Sequence, residues 1–546
     1  MTTTQIRPVE LAPEAAGPNP RRWQILAVLC VSLFVIVMDN TIVNVALPTL
    51  ARELDAGTSS LQWIVDAYTL VFAGLLLAAG GLGDRFGRKG ALLAGLGLFG
   101  AFSAAGAFAS STGQLISARA FMGVGAALIF PTTLAIVVNV FTEPRERAAA
   151  IGIWTAIAGV GVALGPISGG WLLEHFSWGS VFLVNVPVTL AGIVGTLVLV
   201  PRSRDPRAPR LDLPGLVLSI AGVTLLVWSL IEAPSHGWIS ATTIGGIAGA
   251  VALLSVFAWW ELRTPSPLLD VHLFRNMRFT AASLAITLGF FALFGFIFLV
   301  TQYLQLVKGY SALQAGVRTL PFALAMVVAA VTSPKVVQRV GTKLVVATGL
   351  TLMAGGFAIA STNDASTPYS VIASAMILMG FGLGSAAAPA TESILASLPR
   401  EKAGVGSAVN DTTREIGGTL GVAVLGSLMA SVYGGRILDA LSDTALPAGL
   451  RTAAGDSLAA ALQIAGGVGG AAGRGIAFAA QDAFVQAFQI GSIVTGAVAL
   501  AGAVLALLFL PSRSREEEPL AIELEREPFR PRIEPVIEPV VERVEG

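Results

Sequence analysis

Residues 90–110 read GALLAGLGLFGAFSAAGAFAS, a stretch long enough to cross a bilayer and without one charged side chain. About 20 apolar residues cross the hydrocarbon core as a helix, and in lipid only helices or closed barrels satisfy the backbone. Windows of this kind recur along the chain, and the residue-by-residue alternation of a barrel strand is absent from them. The fold class that follows is an all-α integral membrane protein. The charged fraction agrees, at 12% against about 25% in a soluble domain. The 61 glycines suit helices that pack closely in a membrane. Formal net charge is zero, so nothing draws the chain to nucleic acid. Cys30 is the single cysteine; this excludes internal disulfides and CxxC metal sites, and Cys30 reads as a small packing residue. The first apolar window is too long for the core of a signal peptide, so it is expected to stay as the first span.

Charge-poor windows between polar breaks give fourteen spans, at about 23–47, 61–82, 91–110, 115–138, 148–172, 180–200, 212–232, 241–260, 279–303, 315–334, 342–361, 370–396, 405–432 and 484–510. Of the 34 Lys and Arg residues, 26 fall in the two tails and the even-numbered connections. Five lie in the odd-numbered connections (Arg52, Lys308, Arg436, Arg451 and Arg474), and Arg119, Arg318 and Arg414 lie within or at the edge of spans. Basic residues stay on the cytoplasmic side, which puts both termini in the cytoplasm and the chain in the cell (plasma) membrane as a multi-pass protein. The spans group as six, two and six. A polar loop, Gly80–Gly90 (GGLGDRFGRKG), follows the second span, and a weaker copy at 331–343 (VTSPKVVQRVGTK) follows the tenth. Corresponding loops in two halves are the trace of internal duplication. The expected organisation is a cytoplasmic tail 1–22, a six-helix bundle 23–200 and a linker 201–278 carrying two inserted spans. A second bundle follows at 279–510, with an extracellular loop 434–481 rich in Ala and Gly, then a charged, Pro-punctuated and disordered tail 511–546.

In the loop after the second span, glycines let two helices and a tight turn approach, while Asp84, Arg85, Arg88 and Lys89 face the cytoplasmic interface. This stretch resembles the signature loop of the major facilitator superfamily. The resemblance implies that Asp84 and Arg88, set among Gly83, Arg85 and Gly87, switch the cytoplasmic gate rather than bind substrate. LISARAFMGVGAA (115–127) resembles that superfamily's second motif, a membrane-embedded Arg followed by GxG, with Met122 where a Gln is common. GVGVALGPISGG (159–170) resembles the motif that separates its antiporters from its symporters. There Gly159, Gly161, Gly165, Pro166, Gly169 and Gly170 leave a thin, bendable helix. VMDNTIVNVALP (37–48) and LQWIVDAYTL (61–70) resemble the fourteen-span drug:H+ antiporter branch. What the resemblance implies is a major facilitator fold of two pseudo-symmetric six-helix bundles plus an inserted pair. It also implies export of lipophilic cationic small molecules in exchange for protons, with no cofactor, by a monomer in the lipid bilayer.

Depth along the helices, at about 1.5 Å per residue, puts Asp39, Asp66 and Arg119 in one outer layer of a core about 30 Å thick. Arg119 is thus able to neutralise one carboxylate and leave the other to titrate. The antiporter motif is built around Asp39, which favours Asp39 for coupling and Asp66 for substrate contact. Arg414 and Glu415 offer a similar pair from the second half, with Asp411 one turn deeper; Glu392 reads as structural. A carboxylate that faces a wet cavity yet is costly as an anion in apolar surroundings must hold either a proton or a cation. Trp63, Tyr68, Phe290, Phe291, Phe294 and Phe298 are candidate cavity aromatics for flat cations, or else ordinary interfacial aromatics. No P-loop and no HExxH occur, and His175, His236 and His272 all fall in loops, so neither an ATP-driven pump nor a membrane enzyme is expected. The runner-up is the same machine exporting a lipid, siderophore, peptide or amino acid.

Overall fold

A computed structural model describes residues 20–204, 211–398, 403–444 and 446–510. The expected disordered tail 511–546, and nearly all of the tail 1–22, lie outside the described residues. Among the described residues all regular structure is helical, and fourteen helices are long and apolar enough to cross a membrane. In order these spans are Arg22–Glu53, Thr58–Phe86, Arg88–Ala107, Thr112–Val140, Arg145–His175, Ser180–Leu199, Leu213–Ile231, Ala241–Glu261, Met277–Val307, Ala312–Val340, Thr342–Ala360, Tyr369–Ala396, Gly406–Ala440 and Gly470–Phe509. The face that carries the start of the first span and the end of the fourteenth is called proximal below; the other face is distal.

Two boundaries differ from the sequence reading for a physical reason. The loop expected at Gly80–Gly90 is almost wholly helical. Gly83, Asp84 and Arg85 finish the second span, Arg88 begins the third, and Gly87 alone turns the chain. Gly87 does so at φ 115°, a conformation open to glycine and strained for other residues. Gly341, at φ 89° between the tenth and eleventh spans, repeats the device in the second half. The loop expected at 434–481 is also shorter. Its flanks, too rich in Ala and Gly to score as apolar, extend the thirteenth span to Ala440 and start the fourteenth at Gly470. Between them lie two short helices, Ala448–Asp456 and Leu458–Val468. They lie across the distal ends of the first two spans: Thr58 Oγ1 donates to Asp456 O at 2.9 Å, and Gln463 Nε2 to Arg52 O at 3.4 Å.

Small residues set the helix spacing. Cβ atoms added at Gly161, Gly165 and Gly169 of the fifth span would run into Val37, Thr41 and Ile42 of the first. The second bundle repeats this, with Gly417 and Gly421 of the thirteenth span against Thr287 and Phe291 of the ninth. Between bundles the contacts join the first span to the ninth, the second to the thirteenth and the fifth to the tenth. Gln62 Nε2 donates to Val422 O and Ala423 O at 3.2 and 2.9 Å. Gln305 Nε2 donates to Val45 O at 2.9 Å from a widened π-helical turn, Tyr303–Val307. Thr419 Oγ1 donates to Thr69 Oγ1 at 3.0 Å, and Gly170 and Gly316 let the fifth and tenth spans touch. All these links lie in the middle or distal parts of their helices, so the bundles are closed on the distal face. The inserted seventh and eighth spans pack on each other, and the seventh covers the seam between the second and thirteenth spans, where Val227 and Ile231 meet Leu70 and Ala423.

Candidate functional site

Five helices of the first bundle bring their polar groups to one buried point. Asp39 and Arg119 are both 0% exposed, and Arg119 Nη1 pairs with Asp39 Oδ2. Arg119 Nε donates to Ile64 O at 3.0 Å, and the guanidinium lies 4.2 Å from the centroid of the Tyr68 ring. Asp39 Oδ1 accepts from Asn185 Nδ2 at 2.7 Å. Asn185 is in turn held by Ser103, whose hydroxyl accepts from Nδ2 at 3.0 Å and donates to Phe182 O at 2.8 Å. Met122, at the position where a Gln is common, is buried in the apolar core. The ion pair is therefore enclosed, with both carboxylate oxygens occupied.

Asp66 is the opposite case. It is 0% exposed, and neither carboxylate oxygen has a hydrogen-bond partner. The Tyr68 hydroxyl is also buried and unpartnered. In the second bundle Arg414 makes no direct ion pair with Glu415, though its charge reaches it. Consecutive helix positions point about 100° apart, whereas positions three apart share a face. Arg414 Nη1 accordingly reaches Asp411 Oδ1 at 3.9 Å, with the two side chains 32% and 20% exposed. Its Nη2 donates to Thr391 Oγ1 at 3.0 Å, and its charge lies 5.2 Å from the Phe290 centroid. Glu415 Oε2 is left buried without a partner, within electrostatic reach of Tyr68, as Asp39 and Arg119 are. Glu392 lies beside Arg278, whose Nε donates to Ser393 Oγ at 3.0 Å.

The candidate aromatics separate. Tyr68 stands in the polar cluster. Phe290 and Phe294, rings 6.3 Å apart, line the second bundle next to Arg414. Phe298 is fully buried and Phe291 nearly so, both in the apolar core. Trp63 packs beside Val227 and Ile231 of the inserted pair, a neighbour the sequence does not announce. At the proximal face Arg88 Nε donates to Asp84 Oδ1 at 2.7 Å. The Arg88 N–H holds Ser203 O at 2.9 Å, and Lys89 Nζ holds Leu197 O at 2.9 Å. Pro166 and its glycines form the contact face toward the first and tenth spans, except Gly159, which meets nothing within 4 Å.

This arrangement, two glycine-seamed bundles with a polar cluster at their meeting surface, has known counterparts. Residues 29–422 match the family described as Major Facilitator Superfamily. The chain belongs to that superfamily. Its members are transporters, and this facilitator is a multi-pass membrane protein. It is 36% identical over 501 residues to the multidrug efflux pump LfrA of Mycolicibacterium smegmatis, covering 91% of this chain and 98% of that one. It is 35% identical to the tetracenomycin C resistance and export protein of Streptomyces glaucescens, with 92% and 95% covered. It is 35% identical to the methyl viologen resistance protein SmvA of Salmonella typhimurium, with 89% and 97% covered. Among solved structures, a bacterial homolog of the human lysosomal transporter Spinster, inward-facing and unoccupied, superposes with a TM-score of 0.62 at 18% identity. That superposition covers 92% of this chain and 100% of the other, and it supports the facilitator fold.

Asn185 and Gln62 were not anticipated. A polar amide inside an apolar window is the sequence signal that marks both.

Proposed function

We propose that this facilitator is a proton-coupled multidrug efflux antiporter that exports lipophilic cationic compounds by alternating access, and that it is not an enzyme. It works as a monomer in the plasma membrane with the proximal face and both termini in the cytoplasm, which makes the distally closed arrangement its inward-facing state. Three relatives named for drug efflux or resistance support the export reading, one of them named for methyl viologen, an aromatic dication. The observation that carries the coupling is Asp66, buried and unpartnered between Gln62 and Thr69, which bond to the thirteenth span, while the Asp39–Arg119 pair is saturated. An uncompensated anion is costly there, so Asp66 holds a proton or a cation, one at a time. We therefore assign Asp66 the exchange, Asp39 and Arg119 the fixed charge layer that shapes it, and Glu415 the matching contact from the second bundle. Tyr68, Phe290 and Phe294 supply ring faces for a flat cation. Exchange of one proton for one monovalent cation moves no net charge, so it draws on the pH difference, about 1.4 kcal/mol per unit, and not on the membrane potential. The domain limits given above, two bundles and an inserted pair, are part of this proposal.

The test is proton release from purified protein when a cationic dye is added, compared in wild type, Asp39→Asn, Asp66→Asn and Glu415→Gln. The proposal expects release to vanish in Asp66→Asn. Unchanged release and affinity in that variant would move the role to Glu415.

A further inference from the structure

Two acidic residues at the proximal ends of the inserted helices take no part in the transport site. Asp212 caps the seventh span and Glu261 ends the eighth; they are 7% and 2% exposed. Trp260 Nε1 donates to both Asp212 oxygens at 2.9 and 3.0 Å, and Gly215 N–H to Oδ1 at 3.0 Å. Only N–H donors reach Asp212 in these contacts, a setting suited to an anion. Glu261 Oε2 accepts from Leu269 N–H at 3.0 Å, but its Oε1 is buried and has no partner. Glu261 Oε1 and Asp212 Oδ2 converge over Gly215, where an added Cβ would overlap both, and the two carboxyl groups lie within hydrogen-bonding reach of each other.

No cation compensates them among the described residues. The basic groups these elements carry are Arg263, His272 and Arg275. Arg263 lies over the Trp259 ring at 4.3 Å, His272 faces Asp270 at 3.3 Å, and Arg275 makes no ion pair with either acid. Two carboxylates sharing a buried site cannot both stay ionised, and an orphaned oxygen aimed at an anion calls for a donor.

We propose that Asp212 and Glu261 share one proton, carried on Glu261 Oε1 and donated to Oδ2 of the Asp212 anion. This is a resident proton site, separate from the exchanging carboxylates. It clasps the two inserted helices together and, through Leu269 N–H, ties them to the connector 262–276. That connector matters for the rest of the molecule. Leu269, Leu273 and Phe274 pack against the second-bundle core around Phe279. Leu268 and Leu269 also wall an apolar cavity of about 130 Å³, shared with Leu70 of the second span and Ile416 of the thirteenth. Loss of the proton sets two anions against each other at the root of that wall and loosens it.

The experiment is infrared difference spectroscopy with thermal melting on the reconstituted full-length protein across a pH series. A protonated-carboxyl C=O band is expected in wild type, lost in Glu261→Gln and retained in Asp66→Asn and Glu415→Gln. The melting temperature of wild type is expected to fall as pH rises through loss of the shared proton, because the folded state then binds one proton more than the unfolded chain. Glu261→Gln, whose amide is a permanent donor to Asp212, is expected to lose that slope. A Glu261→Gln spectrum or slope matching wild type overturns the assignment. Should Glu261→Gln not fold, Glu415→Gln protein carrying isotope-labelled glutamate decides: a shifted band supports the shared proton and an unshifted one overturns it.

Discussion

The two bundles carry similar sets of charges and hold them in opposite ways. In the first, Asp39 and Arg119 are sealed from solvent, in direct contact, and fixed by Asn185 and Ile64 O. In the second, Asp411 and Arg414 are partly exposed and 3.9 Å apart, and Arg414 shares itself between a hydroxyl and a ring face. Each bundle then adds one carboxylate with unpartnered oxygen, Asp66 and Glu415. The lesson is that burial, not charge count, separates a structural ion pair from an adjustable one. A sealed pair cannot change partners during a cycle without a large desolvation cost, whereas a half-wet pair rearranges cheaply.

The sharpest way to break that comparison is to delete the cation on each side. Arg119→Ala leaves Asp39 buried and unpaired and is expected to cost about 3–5 kcal/mol, seen as loss of folded protein or a large fall in thermal midpoint. Arg414→Ala is expected to cost less than Arg119→Ala, because its pair with Asp411 is 3.9 Å apart with side chains 32% and 20% exposed. Equal losses in the two variants would show that the sealed and open pairs are energetically alike.

The helix seams, by contrast, are expected to behave alike in both halves. Gly165→Leu places a side chain where Thr41 and Met38 stand, and Gly421→Leu places one against the Phe291 backbone. Both are expected to abolish dye efflux by normally inserted protein. Gly159→Leu, with nothing within 4 Å, is expected to transport as wild type does. Efflux by Gly165→Leu at normal expression would show that the seam is loose.

A third contrast lies between the two carboxylates of the first bundle. Asp66→Asn removes a group with no partner to lose, so the protein is expected to fold as stably as wild type while a cationic dye binds at least about tenfold more weakly. Loss of a desolvated charge-to-cation contact, about 1.5–3 kcal/mol, sets that scale. Asp39→Asn strands Arg119 and is expected to show its effect in stability first. Equilibrium binding and thermal melting of the same preparations separate the two. The reverse pattern would return the exchange to Asp39.

Much of this was legible beforehand because lipid imposes simple rules. Fourteen charge-poor windows gave fourteen spans, and helix rise alone put Asp39, Asp66 and Arg119 in one layer. The rest depended on facts that length and charge do not encode. Gly470 to Gln481 is too small-sided to register as a span, yet it is helical. Trp63 sits one turn from Asp66 along its helix but is claimed by Val227 of an inserted span, and no periodicity within the second span reveals that neighbour. Arg414 chose Asp411 over Glu415 through helix geometry that adjacency in sequence obscures. Asp212 and Glu261 stand at span boundaries 49 positions apart in the sequence, and only the packing of their helices brings the two carboxyl groups together.

The smallest expected effect concerns the proximal turn, where the halves differ again. Gly87 and Gly341 make the same sharp turn, but only the first carries an acid: Asp84 pairs with Arg88 at 2.7 Å, while 331–343 holds Lys335, Arg339 and Lys343 and no carboxylate. An acid–base pair at this turn is therefore confined to one bundle, and we infer that it acts there as a switch. With Arg88 and Asp84 16% and 35% exposed, the pair is worth under about 1 kcal/mol to stability, so Arg88→Ala is expected to fold and insert normally. The tether from the residue-88 backbone N–H to Ser203 O survives the substitution, which isolates the side chain. What changes is the energy difference between the two ends of the cycle. If the pair is a switch, transport is expected to slow several-fold with equilibrium dye affinity unchanged, because Arg88 bonds Asp84 and Ser203 O at the proximal turn and not the proposed substrate groups. Lys343→Ala, at the acid-free turn, is expected to leave both quantities alone. Rate measurements in vesicles beside binding measurements on the same variants decide it. A wild-type rate in Arg88→Ala and Asp84→Asn alike would mean that the ion pair only trims the turn, and that the asymmetry between halves at this face is without mechanical consequence.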